Sequence, residues 1–142
     1  HNADVVFPMA SVVKVPILHE LYRQAEAGTV DLGTRIRFGP EHMVPGSGIL
    51  QDLTFGIEPT IKDLATLMIT VSDNAAADLV IEQIGLAQVE TAMHALGMAS
   101  TTIPRDPLQL GRPRRGEPRT HLRAVSAAVE GTLHRLALPR LQ

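Results

Sequence analysis

The sequence contains no cysteine in its 142 residues, so neither a disulfide nor a thiolate metal site is possible within it. Aromatic residues make up only 3%, and the core must therefore be built from aliphatic side chains and methionine. No apolar run is long enough to cross a bilayer, and no signal-like segment opens the chain. With 44% hydrophobic and 20% charged residues, the composition is typical of one globular domain, which we assign to residues 1–142.

The net charge of −2 is small but unevenly distributed. Residues 1–103 hold five basic and twelve acidic residues, whereas residues 104–142 hold eight arginines and three acidic residues. A basic segment can contact nucleic acid, but no nucleic-acid-binding motif accompanies these arginines. We therefore expect no nucleic-acid partner and interpret the arginines as a solvated surface or as the partner of an acidic face.

Helical patterns dominate the sequence and predict a mainly α protein. Helices are predicted over residues 11–27, 61–71, 75–85, 86–97 and 119–136. Thr60 and Asp63 form a capping-box pattern at the start of the second helix, and either Asp73 or Asn74 is placed to cap the third. Residues 98–118 are rich in proline and glycine and predict a long irregular loop, and short strands are possible at 5–7 and 34–38.

Ser11 and Lys14 lie three residues apart in an otherwise apolar stretch, FPMASVVKVP. On a helix these side chains are neighbours, and burial lowers the pKa of a lysine so that it can act as a base toward a serine nucleophile. The simpler interpretation is that Ser11 caps the helix while Lys14 reaches out to water. From composition alone, an S-x-x-K pattern is expected roughly 0.07 times in this chain.

The second candidate pattern is Ser72-Asp73-Asn74, between two predicted helices. All three residue types suit a loop and a helix cap, which is the simpler interpretation. The tripeptide is expected by chance only roughly 0.003 times. S-x-x-K together with S-D-N is the combination found in class A β-lactamases and penicillin-binding proteins.

The surrounding sequence also resembles the helical part of class A β-lactamases, in the segments NADVVFPMASVVKVPIL, VPGSGIL and VSDNAAADLV. The order of the motifs and their separation resemble that family too, and the resemblance is strongest over residues 1–100. It implies the helical lobe of the β-lactamase-like α+β fold, with most of the antiparallel sheet missing and the chain truncated at both ends. Members of this family are typically secreted or periplasmic.

The resemblance implies a site residue by residue. Ser11 would be acylated by a β-lactam, Lys14 would activate it, and the backbone N–H of Ser11 would form half of an oxyanion hole. Ser72 would pass a proton to the leaving nitrogen, and Asn74 would orient Lys14 and the substrate amide. Asp73 would have a structural role in holding the loop.

Two features of the family are missing. The third motif, K-T-G, is absent, because neither Lys14 nor Lys62 is followed by the required residues. The glutamate that deacylates class A enzymes has no counterpart either, since no glutamate occurs between Glu90 and Glu117. Asp106 is the best substitute as a weak deacylation base, although a turn residue before a proline is an equal interpretation.

The expected function is that of a β-lactamase-like serine hydrolase of the kind associated with antibiotic resistance, acting on a small-molecule β-lactam or related acyl compound. Two alternatives stay open: a non-catalytic truncated helical remnant that serves as a packing or interaction module, and an acyl-serine enzyme resembling a D,D-peptidase or esterase. We expect no cofactor and no metal, since the six histidines lack the spacing of metal ligands.

Overall fold

The computed structural model describes residues 10–98 and Ile103, and this part of the chain is mainly helical, with no strand among these residues. Four α-helices form its framework: α1 (Lys14–Glu26), α2 (Ile61–Thr70), α3 (Asn74–Ile84) and α4 (Leu86–Ala95). Three short 3-10 helices accompany them, at Ala10–Val13, Pro40–His42 and Leu50–Asp52. The described residues thus correspond to the helical lobe that the sequence predicts.

The helix boundaries follow local signals in the sequence. At the start of α2, the Asp63 amide donates to the Thr60 hydroxyl at 3.1 Å and the Thr60 amide donates to the Asp63 carboxylate at 2.9 Å. This reciprocal pair is the predicted capping box, and it satisfies two N–H groups that a helix start otherwise leaves unpaired. Gly85, with φ 81°, separates α3 from α4 because glycine adopts that left-handed conformation without strain.

The first predicted helix is confirmed, with a 3-10 turn as its opening. Residues Ala10–Val13 form that turn and lead directly into α1. Pro16 lies in the first turn of α1, where its missing N–H costs no intrahelical hydrogen bond.

The strand predicted over 34–38 is wrong as a regular element. One isolated antiparallel bridge pairs Arg35 with Thr60, and the amide of Ile36 donates to the Pro59 carbonyl at 2.9 Å. Pro59 has no N–H to donate in return, which interrupts the ladder. The other predicted strand (5–7), the final helix (119–136) and all of the predicted loop except Met98 and Ile103 lie outside the described residues.

The core is aliphatic, as the scarcity of aromatic residues requires. The fully buried side chains of the four helices include Ile17, Leu21, Leu64, Met68, Leu79, Val80, Val89 and Met93. The helix α3 contacts the other three, and its first turn carries three buried alanines, Ala75, Ala76 and Ala77, which permit close packing. This packing brings the start of α3 beside the start of α1. No helix in the described part of the chain is both long and apolar enough to span a membrane.

Candidate active site

Four of the predicted site residues meet where α1 and α3 begin. The Lys14 amine donates to Asn74 Oδ1 at 2.7 Å and to Ser72 Oγ at 2.9 Å. It also donates to the Ser72 carbonyl oxygen at 2.5 Å, and Ser11 Oγ lies 3.5 Å away. The Ser72 hydroxyl donates to Ser11 Oγ at 2.9 Å. Residues 61 positions apart in the chain therefore share one continuous hydrogen-bonded network.

The Lys14 side chain is buried, with only 3% of the residue exposed. Burial lowers the pKa of its amine because desolvation disfavours the charged form, while the negative charges of Asp73 and Asp78 oppose that shift. The net direction is downward, which enriches the neutral amine that a base requires. The interpretation that Lys14 reaches out to water is therefore wrong.

Ser11 does not cap the first helix either. The residue that precedes α1 is Val13, and no side chain caps that terminus. Ser11 instead lies in the preceding 3-10 turn and is exposed to solvent. Its hydroxyl is thus accessible to a ligand from outside while the amine beside it is sheltered.

Ser72 adopts a left-handed backbone conformation, with φ 55°. Residues other than glycine seldom adopt this conformation, which costs about 1–3 kcal/mol when surrounding contacts impose it. Here it allows a single residue to direct both its carbonyl oxygen and its hydroxyl at Lys14. Such strain is common at functional sites.

Asp73 is almost fully buried and accepts three backbone hydrogen bonds. Its Oδ1 accepts from the Ala76 amide at 3.0 Å, which makes Asp73, and not Asn74, the cap of α3. Its Oδ2 accepts from the amides of Ile49 and Leu50, both at 2.7 Å. Asp73 therefore links the start of α3 to the preceding loop.

That loop contributes contacts that the sequence analysis missed. The Ser47 hydroxyl donates to the Ser72 carbonyl at 2.8 Å, and the Asn74 amide donates to the Ser47 carbonyl at 2.9 Å. Two glycines flank Ser47, and a Cβ at Gly46 or Gly48 would lie within 2.5 Å of the Asn74 or Asp73 side chain. The sequence pattern P-G-S-G could have indicated these contacts, because paired glycines often mark a place where the backbone closely approaches another group.

Two other residues were named from the sequence: Asp106, as a weak deacylation base, and Lys62, as the second lysine of the chain. Asp106 lies outside the described residues, and Lys62 is an exposed residue of α2. Across residues 10–98 and Ile103, no group of three or more histidine or acidic side chains is arranged to hold a metal ion.

Comparison with known proteins supports the family that the sequence motifs indicate. The model of the β-lactamase enzyme family (Beta-lactamase2) matches residues 1–138. The β-lactamase of Sphaerobacter thermophilus is 37% identical with a TM-score of 0.84, over 94% of this chain and 51% of that one. A mutant of PBP-A, solved as an acyl-enzyme complex with penicillin G, is 29% identical with a TM-score of 0.76, over 89% of this chain and 47% of that one.

Among the curated proteins, β-lactamase L2 of Stenotrophomonas maltophilia is 29% identical over 139 residues, which cover 97% of this chain and 45% of that protein. The chain thus spans about half the length of the relatives it matches. The family model matches nearly the whole chain, and the helical lobe has the fold of class A β-lactamases. The chain belongs to the β-lactamase enzyme family.

Proposed function

We propose that this chain is a serine acyl enzyme in which a β-lactam ring acylates Ser11. The observation that carries the proposal is the buried Lys14 amine, which lies within reach of the hydroxyls of both Ser11 and Ser72. A nucleophile, a base and a second hydroxyl in contact form the minimal arrangement for acyl transfer with proton return.

The first step is removal of the Ser11 proton. Two routes are available: directly to Lys14 over 3.5 Å, or through the Ser72 hydroxyl over two contacts of 2.9 Å each. Hydroxyl hydrogens rotate freely enough to support the second route. In either case Ser11 Oγ forms a bond to the lactam carbonyl carbon while Lys14 becomes an ammonium.

The second step is opening of the ring. The carbon–nitrogen bond of the lactam breaks, and the ring nitrogen takes the proton of the Ser72 hydroxyl. Ser72 regains a proton from the Lys14 ammonium, 2.9 Å away, so the base returns to its neutral form. The product is an ester of Ser11 that retains every atom of the β-lactam. During the attack in the first step, the backbone N–H of Ser11 would supply one donor to the oxyanion that develops on the lactam carbonyl.

We further propose that this ester is long-lived. Its hydrolysis needs a base that activates water, and the segment between Glu90 and Glu117 contains no glutamate. Asp106 is the candidate within that segment and carries a side chain shorter by one methylene. The PBP-A mutant was solved as an acyl-enzyme complex with penicillin G, which supports the acylation step of this proposal.

The test is intact-mass spectrometry over time after addition of benzylpenicillin. We expect a gain equal to one whole penicillin molecule, loss of that gain in Ser11→Ala, and no change in the control Thr91→Ala, which removes an exposed hydroxyl of α4. A persistent adduct supports the long-lived ester, and rapid product release without an adduct contradicts it. Absence of both adduct and product favours the non-catalytic remnant.

A further inference from the structure

The segment 45–50 contacts residues 72–74 through five hydrogen bonds. Asp73 accepts two of them from backbone amides. Asn74 donates two more, from its backbone N–H to the Ser47 carbonyl and from its side-chain Nδ2 to the Pro45 carbonyl at 3.3 Å. The fifth is the only one of the five made by a side chain of the segment itself, from Ser47 Oγ to the Ser72 carbonyl. It ends on the same oxygen that accepts from the Lys14 amine.

We propose that Ser47 is a positioning residue for acylation, which shares the Ser72 carbonyl with Lys14 and holds Ser72 in its left-handed conformation. This proposal rests on the proposed function, because it assigns Ser47 a role in that same site. Ser47 acts on Ser11 through Ser72, whose carbonyl accepts from the Ser47 hydroxyl and whose hydroxyl donates to Ser11 Oγ.

The first part of the argument concerns the Ser72 carbonyl. A carbonyl oxygen has two lone pairs, and here one meets Lys14 and the other meets Ser47. Without the Ser47 hydroxyl, the oxygen would interact more strongly with the Lys14 ammonium, which favours the charged amine. The hydroxyl of Ser47 therefore helps to keep the pKa of Lys14 low, in addition to burial and against the charges of Asp73 and Asp78.

The second part concerns conformation. Ser47 holds the strained backbone of Ser72 at its carbonyl. The next two residues, Asp73 and Asn74, are held by their own hydrogen bonds to the same segment. The segment can approach this closely because Gly46 and Gly48, with φ of 117° and 129°, carry no Cβ. Loss of the Ser47 hydroxyl releases the carbonyl on one side, so the Ser72 hydroxyl is directed less firmly at Ser11.

The chain is well suited to a direct test, because Lys14 and Lys62 are its only lysines. Labelling lysine with 13C at the ε-carbon gives two NMR signals, which a Lys62→Arg variant assigns. We expect the titration midpoint of Lys14 to rise by about 0.3–1 pH unit in Ser47→Ala. We also expect acylation by benzylpenicillin at neutral pH to slow about 3- to 10-fold.

Two variants make the result specific. Ser47→Thr retains a hydroxyl at an exposed position and should restore both the midpoint and the rate. Thr91→Ala removes a comparable hydroxyl, which donates to the Ala87 carbonyl at 2.8 Å on α4, and should change neither. A Lys14 midpoint that is unchanged in Ser47→Ala overturns the proposal, as does a rate loss that Ser47→Thr fails to restore.

The two proposals fail in distinguishable ways. If the wild-type chain forms neither a penicillin adduct nor a hydrolysed product, the proposed function fails. The Lys14 titration in Ser47→Ala still determines whether Ser47 tunes the amine, since that measurement requires no substrate. If the adduct forms but the Lys14 midpoint is the same in both proteins, only the role of Ser47 is rejected.

Discussion

The amine of Lys14 lies 2.9 Å from the hydroxyl of Ser72, although 58 positions of sequence separate the two residues. The packing of α1 against α3 brings them together. Because both groups are also linked to Ser11, the three side chains form one continuous hydrogen-bonded path. The S-x-x-K and S-D-N patterns, which are far apart in the sequence, therefore lie in one cluster of the folded chain.

The burial of Lys14 should make stability depend on pH. Its pKa is lowered from 10.5 in the folded protein, so between the folded value and 10.5 the unfolded chain binds more protons. The free energy of unfolding should therefore rise with pH across that window. We expect Lys14→Met to lack this contribution and also to lose acylation. Urea unfolding at several alkaline pH values measures the free energy of unfolding of the wild-type chain and of Lys14→Met. An identical pH dependence in the two proteins would contradict the prediction.

Asn74 should control the protonation of Lys14 through its side-chain oxygen. Asn74→Asp places a carboxylate about where Oδ1 now accepts from the amine, and an opposite charge raises the pKa of Lys14. Acylation at neutral pH should fall by about tenfold or more and recover as the pH increases. Gln88→Glu adds the same charge on α4 and serves as the control. A pH–rate profile that does not move in Asn74→Asp would refute this role.

Asp73 should contribute mainly to stability. In Asp73→Asn, an amide NH₂ would face backbone N–H groups that now meet a carboxylate oxygen, which leaves buried donors unpaired. We expect a loss of about 2–3 kcal/mol in the free energy of unfolding. Asp52→Asn changes an exposed carboxylate nearby and should cost far less. Equal losses in the two variants, by denaturant unfolding, would disprove the special position of Asp73.

The cap of α2 should be sensitive to acid. Hydrogen bonds from Thr60 lower the pKa of Asp63 below its usual 3.8, so its stabilising effect is present above that value and is lost as the pH falls through the folded pKa. Thr60→Ala should cost about 1 kcal/mol at neutral pH. The difference in unfolding free energy between wild type and Asp63→Asn should shrink on acidification. A difference that stays constant between neutral and acidic pH would rule out this linkage.

Much of this fold could be predicted because its signals are local. The capping box at Thr60 and the glycines that end helices act within one helical turn, so the sequence alone indicates them. The pairing around residues 34–38 could not be predicted, because it depends on Pro59 in a distant segment.

The site was predictable only in part. Two motifs identified Ser11, Lys14, Ser72 and Asn74 as candidates, and the structure brings them into contact. The P-G-S-G pattern signals a close backbone approach, but it identifies neither the left-handed conformation of Ser72 nor the hydrogen bond from Ser47 to Ser72. Both depend on how a loop 25 positions earlier packs against the start of α3. The role of Asp106 as a weak deacylation base stays a prediction.

The central claim is that Ser11 is the acylated nucleophile and Lys14 its base. Tandem mass spectrometry of the peptide that contains Ser11, after a brief reaction with benzylpenicillin, tests it most directly. We predict one penicilloyl group on Ser11 in the wild-type chain and its absence under the same conditions in Lys14→Met. An unmodified Ser11, a penicilloyl group on another residue, or equal modification in Lys14→Met would contradict the claim.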